Sequence, residues 1–252
     1  MATLTVITIS LNEEMNIVPC LESVRWADEI IVVDSGSSDR TVELARQFTS
    51  NVFSIDWQSY GAARNFGMSH ATGEWILWLD ADERVTPELA GEIREILKRD
   101  DERIVGYAIA RRAYFLGRWI KHCGWYPSRV VRLFRKQHGR FTERRVHEKL
   151  ELKGETAPTR FDLLHFTDPD LHHYLLKFNK YTSLGADDLY GAGRRFRISD
   201  LILRPIFQFF KMYLLRRGFL DGMPGFILCV LSSAYVFAKY AKVWEREQNK
   251  HA

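Results

Sequence analysis

Trp75-Ile76-Leu77-Trp78-Leu79-Asp80-Ala81-Asp82-Glu83 reads as an apolar strand that delivers two carboxylates, spaced i and i+2, to its carboxyl end. A run that is hydrophobic throughout, rather than alternating, is the pattern of a strand covered on both faces. Directly after it, Thr86 caps a helix with Pro87 in its first turn and Leu89, Ile93, Ile96 and Leu97 on its core face. Working back from there, residues 60–70 read as a helix and 52–55 as a short strand. Val42, Ala45 and Phe48 mark another helix, and 29–33 another strand. Ile17, Leu21 and Val24 repeat at helical spacing after a β-branched strand at 4–9. Alternating strands and helices predict βαβ units and a parallel sheet flanked by helices.

In such sheets ligands sit beyond the carboxyl ends of the strands. The polar clusters 10–14, 34–39 and 80–83 all fall at such ends, so three separate stretches converge on one rim. The carboxylates of Asp80 and Asp82 are hard oxygen ligands suited to Mg²⁺ or Mn²⁺, whose shell substrate phosphates can complete. Asp34 can accept hydrogen bonds from a base or a ribose, Asp39 is expected to cap the following helix, and Gly36 permits the tight turn between them. Arg64, in Gly61-Ala62-Ala63-Arg64-Asn65-Phe66-Gly67, has three readings: neutralising a diphosphate, holding the acidic cluster, or an ordinary surface salt bridge.

After residue 100 the pattern changes. Residues 105–110 and 130–134 read as strands separated by an aromatic, basic loop, 141–165 as short strands and turns, and the chain from Asp170 onward as helical. Residues 201–215 are rich in Leu, Ile and Phe, broken by Arg204, Pro205 and Lys211, and 223–238 are largely apolar. A spanning helix needs about 20 apolar residues. The mixture suits a helix lying at a membrane surface, or else a helical cap on the sheet.

The net charge of +4 is unevenly spread. Residues 1–100 hold 8 Lys/Arg against 17 Asp/Glu, whereas eleven basic residues and one acid, Glu143, lie between Arg111 and Arg145. That density points to an anionic partner. Composition excludes the disordered and collagen-like classes. Cys20, Cys123 and Cys229 are odd in number and form no CxxC pair, so a disulfide framework and a zinc site are not indicated and a reducing compartment is expected. The N-terminus has no basic n-region of a signal peptide. A dinucleotide-binding oxidoreductase is disfavoured, because no G-x-G-x-x-G follows the first strand. A nucleic-acid-binding module is disfavoured by the lack of a helix-turn-helix or RNP-like pattern.

Four ordered stretches carry a resemblance. Thr8-Ile9-Ser10-Leu11-Asn12-Glu13, Ile30-Ile31-Val32-Val33-Asp34-Ser35-Gly36-Ser37-Ser38-Asp39, Gly61-Ala62-Ala63-Arg64-Asn65 and Leu79-Asp80-Ala81-Asp82-Glu83 resemble the motifs of family 2 glycosyltransferases. The resemblance implies the GT-A fold, a Rossmann-like, mixed and mainly parallel sheet flanked by helices. It would occupy residues 1–165, with a nucleotide-sugar half at 1–100 and an acceptor half at 101–165. Residues 166–252 would form a helical, membrane-associated extension. It further implies inverting transfer from a nucleoside-diphosphate sugar, with Thr8, Ser10, Asn12, Glu13, Asp34, Arg64 and Asp80 around the donor. By matching position, Asp34 resembles the base-contacting residue, Asp80 the one near the ribose, and Asp82 the metal ligand, with Asp80 beside it. Many members have Asp-Asp where this chain has Asp34-Ser35, and a Ser can still accept a hydrogen bond.

Phe141-Thr142-Glu143-Arg144-Arg145-Val146-His147-Glu148-Lys149 and Gln208-Phe209-Phe210-Lys211-Met212-Tyr213-Leu214-Leu215-Arg216-Arg217-Gly218-Phe219-Leu220-Asp221-Gly222 are similar to a subgroup, the lipopolysaccharide core glucosyltransferases of the WaaE/KdtX type. That similarity implies glucose from UDP-glucose as donor and an inner-core heptose as acceptor. The enzyme would sit on the cytoplasmic face of the inner membrane, in peripheral contact through its C-terminal region. A polyprenyl phosphate is the alternative acceptor. The base is expected to be Glu148, with Glu143 second. His147 and His165 are each either a metal or phosphate contact or a structural residue. Arg112, Arg129, Arg132 and Arg135 are candidates for binding an anionic lipid-linked oligosaccharide. Trp119, Trp125 and Tyr126 either stack on sugar or pack in the core.

Overall fold

β1 (Leu4–Ser10) is buried along its whole length. From it the chain runs through α1 (Ile17–Glu22), β2 (Glu29–Asp34), α2 (Thr41–Ala45), β3 (Val52–Ser54), α3 (Tyr60–His70) and β4 (Trp75–Asp80). It continues with β5 (Glu83–Val85), α4 (Pro87–Arg99), β6 (Ile104–Phe115), β7 (Arg118–Trp119) and β8 (Ser128–Arg135). Then come β9 (Gly139–Phe141), β10 (Leu150–Leu152), β11 (Glu155–Pro158), β12 (Leu163–Asp168), α5 (Leu171–Gly191), α6 (Ile198–Phe210) and α7 (Gly222–Asn249). This computed structural model describes residues 1–142 and 149–249. The chain divides into two units, Met1–Arg111 with Ser128–His165, and Arg112–Pro127 with Phe166–Ala252.

The sheet order is β3-β2-β1-β4-β8-β6-β12-β5. β3, β2, β1 and β4 are parallel, and β8 and then β6 join antiparallel. This is the mixed, mainly parallel, helix-flanked architecture expected from the sequence. Register aligns Ser10 with Asp34 and Ile9 with Asp80, so the three strand tips end at one level.

The continuous apolar run of β4 is explained by its two covered faces. Leu77 and Leu79 join a core with Leu21, Leu89 and Ile93, while Ile76 and Trp78 join a second with Ile7, Val33 and Met68. Each such side chain contributes about 1.5–3 kcal/mol on burial. On the second face α3 lies very close to the sheet: a Cβ on Gly67 would stand 2.6 Å from the Ile7 side chain. α4 begins as expected, with the Thr86 side chain accepting from the Leu89 N–H and Pro87 in the first turn.

The second unit has its own small core of Phe115, Ile120, Cys123, Met212, Leu228 and Cys229. Buried Asp221 accepts the backbone N–H groups of Lys121 (3.2 Å) and His122 (2.9 Å) and pairs with His122 Nδ1 (2.9 Å). Cys123 and Cys229, 106 residues apart, bring their sulfurs to 3.7 Å as free thiols. α5 starts on Asp170, whose carboxylate accepts the His173 N–H at 2.7 Å. α6 runs into a π-helical turn, Lys211–Leu215, and a 3₁₀ turn, Gly218–Asp221, before α7. The apolar stretch expected at 223–238 is part of this longer helix. By length and composition alone, Gly218–Asn249 is long and apolar enough to cross a membrane.

Candidate active site

The rim is built from short polar turns locked to one another. Asp34, 1% exposed at the tip of β2, accepts the N–H groups of Gly36 (3.0 Å) and Ser37 (2.8 Å) and the hydroxyls of Ser10 (3.0 Å) and Ser37 (2.5 Å). Asn12 takes a left-handed backbone, φ 55, which an Asn tolerates better than most residues. Its N–H donates to Ser37 Oγ (2.8 Å) and its side-chain oxygen accepts the Ser38 N–H (2.8 Å). The Glu13 N–H donates to Thr41 Oγ1 (2.7 Å). Asp39 accepts the N–H of Thr41 (3.0 Å), the first residue of α2, but the cap position itself is held by Arg40, so the expected cap is displaced by one residue. Thr8 lies inside β1 and is fully buried.

Asp80, at the tip of β4, is clamped by two arginines. Arg64 Nη2 donates to one carboxylate oxygen at 2.8 Å and Arg132 Nη2 to the other at 2.9 Å. Both guanidinium carbons lie over the Trp78 ring, at 4.1 Å for Arg64 and 3.6 Å for Arg132. Arg132 also donates to Glu83, and both of those side chains are almost wholly buried. Glu83 Oε2 in turn accepts the Asp80 N–H at 3.1 Å, which fixes the turn between the two carboxylates. Burial opposes the charged form of Asp80, but Arg132 and Arg64 hold it well below the usual carboxylate range. Burial and the neighbouring Asp80 charge push Glu83 up. Arg111 Nη1 stands 4.0 Å from Glu83 as an outer cation.

Asp82 faces His165 on β12, Nε2 to Oδ2 3.4 Å, with both side chains largely buried. Burial would lower the imidazole, but the Asp82 hydrogen bond and charge raise it overall. Asp80 offers oxygens already engaged by guanidinium groups, whereas Asp82 and His165 present an oxygen and a nitrogen side by side. Among the described residues no cluster of three or more His, Cys, Asp or Glu side chains forms a metal cage. The Asp82 carboxylate suits Mg²⁺ or Mn²⁺ when phosphate oxygens complete the shell, so the oxygen donors fit; His165 Nε2, hydrogen-bonded to Asp82 here, would join only on giving up its proton.

Ser10, Asn12, Glu13, Asp34, Arg64, Asp80 and Asp82 thus stand at the strand tips or on the element beside them. Glu143, His147 and Glu148 lie outside the described residues. Two of the arginines read as acceptor cations are otherwise employed. Arg132, 1% exposed, holds Asp80 and Glu83, and Arg135 donates to Asp100 at 2.7 Å and lies over Trp75. Arg129 donates to the Thr159 carbonyl at 3.0 Å. In the second unit Trp119 lies beneath Arg112 (5.0 Å) and Lys121 (4.7 Å). Sequence reasoning missed Glu83 and Arg132 as partners. The available signal was an arginine in the middle of the apolar stretch Val130-Val131-Arg132-Leu133-Phe134, since arginine is seldom fully buried unless paired.

Fold and rim together place the chain in the class of α/β proteins, whose open sheets take ligands at the carboxyl ends of the strands. Residues 5–161 match the family model described as glycosyl transferase family 2. The chain belongs to that family and is a glycosyltransferase. It is 33% identical over 259 residues to the lipopolysaccharide core biosynthesis glycosyltransferase LpsC of Rhizobium meliloti (strain 1021), covering 98% of this chain and 94% of that one. It is 27% identical over 248 residues to an uncharacterized glycosyltransferase of Rickettsia typhi, covering 94% and 85%. Among solved structures it is similar to glucosyl-3-phosphoglycerate synthase from Mycobacterium tuberculosis in complex with Mn²⁺, UDP-glucose and phosphoglyceric acid. Identity there is 25%, the TM-score 0.38, and the match covers 44% of each chain, less than half the length of that structure.

Proposed function

We propose that this glycosyltransferase moves glucose, with inversion, from UDP-glucose to an inner-core heptose of lipopolysaccharide. The observation that carries the donor half is the rim of Ser10, Asp34, Asp80 and Asp82 at aligned strand tips. The acceptor half is supported by the full-length similarity to LpsC, a protein named for lipopolysaccharide core biosynthesis.

In this reading Asp34 receives the base and Asp80 the ribose, with Arg64 and Arg132 keeping Asp80 ionised and fixed. Asp82 and His165, with Asp80 beside them, would hold Mg²⁺ or Mn²⁺, which when bound supplies charge neutralisation for a departing diphosphate. Glu148, or Glu143 in its place, removes the proton from the acceptor hydroxyl. Residues 1–165 form the catalytic part, and 166–252 bring it into peripheral contact with the cytoplasmic face of the inner membrane, near an anionic lipid-linked acceptor.

The test is transfer assayed over a panel of nucleotide sugars against heptose-containing core and polyprenyl phosphate, with Mn²⁺, Mg²⁺ or a chelator. UDP-glucose with the heptose acceptor, and loss of transfer on chelation, is the expected result. Preferential use of polyprenyl phosphate would overturn the acceptor, and undiminished transfer in chelator would overturn the metal.

A further inference from the structure

The second unit exposes an apolar surface that nothing in the sugar-transfer reading uses. Ile198, Ile202, Leu203, Ile206, Phe207 and Phe210 are each about half exposed or more, from 49% to 62%. Their spacing puts them on one side of α6. The row continues past the helix, with Leu214, Leu215, Phe219, Leu220 and Met223 also exposed. A soluble monomer rarely leaves so many large apolar side chains contiguous in sequence and on one helix face, and such patches mark contact sites.

Charge identifies what covers it. Across 198–223 the acids Asp200 and Asp221 are both buried, and Asp200 is paired with Arg204, so the charges left at the edge of the face are those of Lys211, Arg216 and Arg217. Arg216 and Arg217 are exposed at the tip, between Leu215 and Phe219. That tip is held in place: the Cys123 N–H donates to the Arg216 carbonyl at 3.0 Å, and Arg217 adopts a left-handed backbone, φ 54. An apolar face edged by cations alone complements an anionic lipid interface. Two copies meeting through this face would bring like charges together, since a two-fold contact pairs the same patch with itself.

The mode is in-plane. Along α7 the last third is strongly polar, with Lys239, Lys242, Glu245, Arg246 and Glu247. Lys242 Nζ donates to the Asn179, Thr182 and Ser183 side chains at 2.8 Å, and Arg246 pairs with Asp187 at 2.6 Å on α5. The remaining apolar part, 222–238, rises about 25 Å at 1.5 Å per residue, at the lower limit for a span across a hydrocarbon core of about 30 Å, and its polar end is tied to α5.

We infer that the exposed face of α6 and the 214–223 tip form a monotopic binding surface for anionic phospholipid, with α6 lying parallel to the bilayer and Lys211, Arg216 and Arg217 at the headgroups. This rests on the membrane contact proposed above and adds the face, the depth and the lipid class.

The experiment is co-sedimentation of the full chain with phosphatidylcholine vesicles, with and without phosphatidylglycerol. Variants are Leu203→Glu/Phe207→Glu, Lys211→Gln/Arg217→Gln, and Leu176→Glu on α5 as control, each checked by circular dichroism and by donor hydrolysis in solution. Expected are binding that requires phosphatidylglycerol, a loss of about tenfold or more in the two α6–tip variants, and wild-type binding in Leu176→Glu. Tight binding by Leu203→Glu/Phe207→Glu would sink the face assignment while leaving membrane contact standing. Absence of vesicle binding by the wild type would sink both. Donor hydrolysis reports separately on the sugar-transfer reading.

Discussion

Arg132 is the residue on which the geometry of the acidic turn depends most. One guanidinium serves Asp80 and Glu83 while lying flat on Trp78. Removing one partner of a buried ion pair leaves an uncompensated charge and typically costs about 3–5 kcal/mol. Arg132→Met is therefore expected to destabilise the protein by about that much in chemical denaturation. Adding Glu83→Gln should recover part of the loss, because the orphaned carboxylate is then gone; strict additivity of the two changes would show that the pair does not interact. Asp82→Ala, by contrast, removes the partner of one imidazole, His165, and of no guanidinium, and is expected to abolish transfer with a smaller loss of stability than Arg132→Met. Full activity in that variant would remove the metal assignment. The carboxylates of this site were legible in the sequence because a strand and its turn are local. The partner of Arg132 was not, since it lies 52 residues away along the chain and is reached only through the antiparallel pairing of β4 with β8. A basic stretch read as one anion-facing surface thus contained side chains turned into the core.

At the scale of elements, α4 was readable for the same local reason: a capping Thr, a Pro in the first turn, and apolar residues at helical spacing. The small residues of α3 allow it to approach the sheet closely, and Gly67→Ala is expected to lower stability measurably, because its Cβ meets the Ile7 side chain across the helix–sheet contact. α6 teaches a different lesson. Its Asp200 is buried, and burial alone would raise its carboxyl, but hydrogen bonds from Arg204 (2.5 Å) and Arg194 (2.9 Å) outweigh that and hold it below the ordinary range. A depressed carboxyl stabilises fully above its unfolded value, about 3.9, and loses that contribution as pH falls through the folded value. Melting temperature should accordingly fall as pH drops below about 4. Asp200→Asn should melt lower at neutral pH and show a smaller acid dependence. An identical acid profile in the variant would mean that Asp200 adds nothing to the pH dependence. Arg204, inside α6, looked from sequence like an interruption of an apolar stretch; through Asp200 it anchors the helix start.

At the scale of the whole molecule, the division by chain position differs from the division by packing. Residues 112–127 group with 166–252. No periodicity could reveal this, because the insertion is short and its partners are about a hundred residues away. A chain ending at His165 keeps Phe115, Ile120 and Cys123 but loses Met212, Leu228 and Cys229, against which they are buried. Exposing such side chains costs about 1.5–3 kcal/mol each. Loss of Asp221 also strips the acceptor from the N–H groups of Lys121 and His122, at about 1–3 kcal/mol where they stay shielded from water. Those terms together are comparable with the whole stability of a domain, about 5–15 kcal/mol. Truncation after His165 should therefore give aggregated or partly unfolded protein by size-exclusion chromatography and far-UV circular dichroism. A monomeric 1–165 fragment melting cooperatively at the full-length temperature would mean that the loop 112–127 does not depend on the C-terminal helices for its fold.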